Sequence, residues 1–180
     1  DPGGPRVMVI NPQEKGWGPD YLRFGLGLAT DFQGDNPYNL LVQYRKTWIN
    51  KLGGELLVEG QLGEDTHLFT EWYQPLTASG VWFGSLYGVA GRTTRGFFQG
   101  DDKIADYQIS SGRGGADLGV TLGTLGALRV GPQWTHVHAK VDTGDPILPS
   151  VTELTAGGHA ALILDALDQP WFPQSGYTAT

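Results

Sequence analysis

The stretch Tyr21 to Phe32, YLRFGLGLATDF, decides the fold. Leu22, Phe24, Leu26 and Leu28 fall at every second position, and Arg23, Gly25, Gly27, Ala29 and Asp31 fill the alternate ones. A period of two puts the apolar set on one side of an extended chain and the small and charged set on the other, which is the mark of a β-strand. The same period continues downstream. After the turn QGDNP, the run from Tyr38 to Ile49 sets Leu40, Val42, Tyr44 and Trp48 against Asn39, Gln43, Arg45 and Thr47. The next turn, NKLGG at 50–54, leads into GELLVEGQL, where Leu56, Val58 and Leu62 oppose Glu55, Glu59 and Gln61. Consecutive alternating runs joined by Gly/Pro/Asn-rich turns predict a meander of adjacent hairpins.

Further strands are expected near His67 to Pro75, from Val81 to about Arg95, from Lys103 to Gly123 with a bulge at GRGG, from Ala127 to Val141 and from Val151 to Leu167. That makes about eight antiparallel strands and no helix with an amphipathic period. Each strand reaches the roughly 9–11 residues that a tilted strand needs to cross a bilayer.

Composition agrees with an all-β chain and excludes several functions. The 180 residues suffice for one sizeable core. With 28 Gly and 11 Pro but also 6 Trp, 7 Tyr and 7 Phe, the chain is turn-rich and too aromatic to be disordered. Nineteen acids against 12 bases give a net charge of −7, and the longest basic cluster is the pair Arg45-Lys46, so nucleic acid is not expected as a partner. Without cysteine there is neither a disulfide nor a thiolate metal site. His136 and His138 share a strand face and could take a metal with Asp142, but nothing completes the set, so no cofactor is expected. The G-x-S-x-G elbow of a serine hydrolase does not occur, so no catalytic residue is assigned.

Alternation alone does not say whether the apolar face points inward, as in a soluble lipocalin-like carrier of a small apolar ligand, or outward to lipid. Aromatic placement separates the two. With the first strand running away from the short turns, Trp17, Tyr21, Trp48, Trp72, Trp82 and Trp171 fall near one rim, while Phe32, Tyr38, Phe69, Phe97 and Phe98 fall toward the other. Two aromatic girdles one strand length apart are what the two bilayer interfaces select. On this reading Arg23, Arg45, Glu55 and Glu59 are lumen charges, together with Glu71.

The stretch NPQEKGWGPDYLRFGLGLATDFQGDNPYNLLVQYRKTWINKLGGE, followed by LFTEWYQPL, resembles the C-terminal barrel region of bacterial patatin-like phospholipases, within the outer-membrane assembly and surface-antigen superfamily. Near the other end, LDALDQPWFPQSGY resembles that superfamily's D-x-x-D-x-P-x-x-P-x-x-G element, with Asp165, Asp168, Pro170, Pro173 and Gly176 on the pattern and Trp171 and Phe172 anchoring the turn. The resemblance implies a transmembrane barrel of about sixteen strands, of which residues 19–180 would be about the N-terminal half. It makes residues 1–18, with the short apolar run VMVI, a linker or the end of a preceding transport-associated domain. It also implies a non-catalytic role in the bacterial outer membrane, anchoring or helping to translocate an attached patatin-like domain. Partners would be the lipid bilayer and that attached domain; the first strand, near Tyr21 to Phe32, and the last, near Val151 to Leu167, must pair with each other or with a second copy, and self-closure is slightly favoured.

Overall fold

A computed structural model describes residues 19–28, 38–100, 102–144, 148–165 and 178–179. All regular structure among these residues is β. The elements are β1 (Asp20–Leu28), β2 (Tyr38–Lys46), β3 (Glu55–Gly63), β4 (Thr66–Pro75), β5 (Trp82–Gln99), β6 (Asp102–Thr121), β7 (Gly126–Gly144), β8 (Val151–Asp165) and β9 (Thr178–Ala179). They form one sheet in sequence order, and every neighbouring pair is antiparallel. The expected meander is therefore present, with a two-residue ninth strand against the end of β8.

The short connections at one end are built from local hydrogen bonds. Between β2 and β3 the Asn50 side chain accepts from the amides of Leu52 and Gly54 at 3.1 and 3.2 Å, and Gly53 takes φ 80°. An Asx-turn of this kind satisfies amides that would otherwise be orphaned, and the positive φ suits a residue without Cβ. Leu76 donates to Trp82 at 2.8 Å to close β4 on β5, and Leu122 donates to Gly126 at 2.8 Å to close β6 on β7.

The sheet curls toward the charged side. Glu71 on β4 and Arg129 on β7 are three strands apart, about 14 Å across a flat sheet. Arg129 is also offset along its strand, because Glu71 stands level with Tyr87, Gly115 and Gln133. Yet their side chains meet at 2.5 Å, which requires the intervening strands to wrap around them. Glycines on the concave side make the room. The Phe83 ring lies over Gly119, where an added Cβ would come within 2.2 Å of it, and the Tyr87 hydroxyl sits 2.4 Å from the corresponding point on Gly115.

Two expectations are corrected. GRGG does not bulge: β5 and β6 stay in register through Gly112 to Gly115, and the register shifts lie instead at Phe97/Phe98 and Asp106/Tyr107. The glycines there serve as seats for rings, Gly114 under Trp134 on one face and Gly115 under Tyr87 on the other. Nor does the sheet close on itself. Among the described residues β1 pairs with β2 alone, and the far edge of β8 begins to pair with β9 at Leu164 and Asp165. The predicted linker at 1–18, including Trp17, lies outside the described residues.

Gly119→Val drives a side chain into the Phe83 ring and is expected to lower stability by about 1–3 kcal/mol, the usual cost of overpacking. Gly112→Ala, whose Cβ would meet no atom within 4 Å, is expected to be neutral. Urea unfolding midpoints of the two variants check the contrast.

Candidate functional site

Cross-strand register assigns every side chain to one of two faces. On the convex face stand Leu22, Phe24, Leu26 and Leu28 of β1, opposite Tyr44, Val42, Leu40 and Tyr38 of β2. The row passes through Leu56, Val58 and Leu62 to Leu68 and Trp72, then Trp82, Leu86 and Ala90, then Leu118 and Val120, then Leu128 and Val130, ending at Leu162 and Leu154. Many of these are bare: Phe24 is 70% exposed, Leu28 75% and Leu154 73%. Among the described residues the buried hydrophobic set is Phe83 and Ala105 alone. Among the described residues, most of the exposed large apolar side chains stand on the convex face.

The band has a definite height. On β5 it runs from Trp82 to Ala90 and gives way to Arg92 and Thr94 on the same face. On β7 it ends at Trp134, beyond which His136, His138 and Lys140 follow. Eight residue steps span about 27 Å along a strand, or about 21 Å of height at a tilt near 40°. β1 to β4, at nine or ten residues each, are little longer than the band, whereas β5, β6 and β7, at 18, 20 and 19, extend well past it.

The concave face carries the charge. Arg23, Arg45, Glu55 and Glu59 all lie there, as the alternation predicts. Arg45 is 4.0 Å from Glu55. Glu59 accepts from the Gln43 amide at 2.7 Å and lies 3.3 Å from His67 Nε2. Deeper in the curl, the Arg129 guanidinium stands 5.2 Å from the Phe83 ring centroid while it holds Glu71, and Phe83 packs on Tyr73 at 4.8 Å. Tyr87 donates to Gln133 at 3.1 Å, and His159 Nε2 lies 3.4 Å from Asp117, which is 8% exposed. Five concave atoms, Asn39 Oδ1, Ser85 Oγ, Asp117 Oδ1, Arg129 Nε and His159 Nδ1, are buried without a hydrogen-bond partner among the described residues. A polar, partly unsatisfied interior is a water-filled or ligand-accepting surface rather than a packed core.

At the end of the sheet opposite the short turns, Asp65 in the β3–β4 connection takes the Thr93 hydroxyl and the Arg95 guanidinium, the latter at 3.2 Å. The hydrogen bond from Thr93, with the Arg95 charge beside it, holds the Asp65 carboxyl below its ordinary value.

The aromatic residues divide between the two faces. Trp48 lies in the β2–β3 turn, and Trp72 and Trp82 project from the convex face near the short-turn end, each about half exposed. Tyr21 does not join them. It stands opposite Arg45 on the concave face, because it shares parity with Arg23. Of the opposite set, Tyr38 ends β2 on the convex face, whereas Phe69 faces inward opposite Glu59 and Val89. Phe97 and Phe98 lie beyond the apolar band on the extension of β5. Trp171, Phe32 and the element Asp168, Pro170, Phe172, Pro173 and Gly176 lie outside the described residues, and Asp165 forms the last position of β8. His138 Nδ1 lies 2.8 Å from Thr152, and no metal-binding cluster of His, Asp and Glu occurs among the described residues.

No family model, curated protein or solved structure matches this chain.

Two expectations follow. Asp65, with its lowered pKa, adds stability that is complete above the ordinary carboxyl value of 3.8 and is lost as pH falls through the folded-state value. In Asp65→Asn that acid-dependent component disappears, as read by the unfolding midpoint between pH 6 and pH 2.5. Removing Arg129 leaves Glu71 half-buried and alone, so Arg129→Met is expected to cost about 2–4 kcal/mol and the double variant Arg129→Met/Glu71→Gln less than the sum of the singles, in a double-mutant cycle.

Proposed function

We propose that this chain is a non-catalytic membrane-spanning β-barrel region of a bacterial outer membrane, and that it anchors an attached domain or helps to translocate it. The observation that carries the reading is the inversion of the faces: an exposed apolar band on the convex side, with arginine, glutamate and aspartate on the concave side. A monomeric soluble protein rarely exposes apolar patches beyond a few hundred Å². In a bilayer the same band is satisfied by lipid, and the ladder satisfies the backbone. The height of the band is close to the roughly 25 Å of the apolar girdle in such barrels. On the sequence resemblance, the attached domain is a patatin-like hydrolase, and any phospholipase activity belongs to it. The carrier reading needs an apolar interior, and Glu59, Glu71, Asp117 and Arg129 occupy that place.

The unpaired edge of β1 and most of the far edge of β8 present backbone donors and acceptors that lipid cannot satisfy. We therefore infer that strands beyond those described complete the sheet, whether from the same protein or from a second copy, and the arrangement put to the test is a second copy joined edge to edge, β1 on β8.

Folding is expected to need detergent or lipid and to give a gel mobility that changes on boiling; a monodisperse fold in plain buffer overturns the reading. Leu86→Arg, at mid-band on the convex face, is expected to cost about 2–4 kcal/mol of folding in detergent or lipid, whereas Val89→Thr on the concave face costs little. Cysteines placed at Gly25 and Gly157, in a chain with none of its own, are expected to cross-link between copies. A cross-link confined to one chain would mean self-closure, and the lack of any would remove both arrangements.

A further inference from the structure

The convex apolar face has an open hollow across β2 to β5, and a cation stands at its edge. Gly60 leaves β3 bare between its neighbours Val42 and Leu68, and nothing lies within 4 Å of the point where its Cβ would stand. The resulting cavity of about 670 Å³ is walled by Leu40, Val42, Leu62, Leu68 and Ala90. Its volume is within the range of sites that hold small organic ligands. At the upper end of the hollow, where the apolar band stops, Arg92 stands between Thr66 on β4 and Ser110 on β6, and all three line the cavity.

Arg92 differs from Arg45, Arg95 and Arg129. Arg45, Arg95 and Arg129 each meet a carboxylate. Arg92 has no ion pair or hydrogen bond among the described residues. A guanidinium at the end of an apolar slot, with two hydroxyl-bearing side chains on either side and no acid beside it, is matched in charge and shape to a phosphate whose tail lies in the slot. An arginine on the lipid face is also tolerated at this height, because the cost falls toward zero near the interface.

We propose that the hollow and Arg92 form a seat for one anionic phospholipid, with an acyl chain along Gly60 and Ala90 and the phosphate on the Arg92 guanidinium. The inference rests on the bilayer reading above. It goes further in naming one lipid position, on the β3–β6 sector, that is specific rather than merely apolar.

The test uses the whole chain, folded in micelles doped with equal amounts of phosphatidylglycerol and phosphatidylcholine and examined by native mass spectrometry. One phosphatidylglycerol is expected to be retained in preference to phosphatidylcholine. Arg92→Gln, which removes the charge, and Gly60→Leu, which fills the slot, are each expected to lower that retention about tenfold, the equivalent of one charge-assisted interaction. Lys140→Gln, outside the hollow, leaves it unchanged. Boiling-dependent gel mobility is recorded for every variant. If the wild type does not fold in detergent, the bilayer reading fails and the seat with it. If it folds but retains both lipids equally, or if Arg92→Gln retains phosphatidylglycerol as the wild type does, the seat alone is overturned. Displacement of the lipid by excess inorganic phosphate would likewise overturn it, by reducing the site to a bare anion contact.

Discussion

Everything in this structure depends on an antiparallel ladder that keeps its register through the whole height of the apolar band. Because successive side chains point to opposite faces, a slip of one residue in any strand would exchange its entire apolar set for its polar one. The register shifts that do occur, at Phe97/Phe98 and Asp106/Tyr107, lie on the extensions of β5 and β6 beyond the band. Where sorting matters the register is kept, even across Ala116 and Asp117, where β6 and β7 skip two pairs.

Curvature is the second determinant, and it comes from size rather than from hydrogen bonding. The concave side of β5 to β7 pairs large rings with bare backbone, Phe83 on Gly119 and Tyr87 on Gly115. This lets Arg129 reach across three strands to Glu71. The convex side shows the reverse exchange once, where Trp134 lies over Gly114. Glycines scattered through the strands thus set which way the sheet bends and where its interior is filled, at the cost of the strand propensity that a larger residue would bring.

Much of this was legible in the sequence, for a physical reason. A period of two is a local property, so Leu22 to Leu28, Leu40 to Tyr44 and Leu56 to Leu62 declare their strands and faces without knowledge of the rest. The concave-face charges Arg23, Arg45, Glu55 and Glu59 follow from the same parity. Tyr21 was legible too, since it shares parity with Arg23, but grouping aromatics by height alone hides the face each one occupies. The deep cluster was not legible. Arg129 and Glu71 are 58 residues apart in sequence, and Asp117 and His159 lie on strands two apart, so their meeting depends on the curl. The hollow at Gly60 was hidden for a related reason. A missing side chain becomes a cavity only when its neighbours on adjacent strands are known.

The unequal length of the strands has a consequence of its own. β1 to β4 end near the top of the apolar band, while β5 from Arg92 to Gln99 rises above it by a further run of about 20 Å. The concave trough is therefore bounded by a parapet on one side and a low sill on the other. The step between the two heights falls where β4 meets β5, and there the Asp65–Arg95 contact ties the short β3–β4 connection to the raised part of β5.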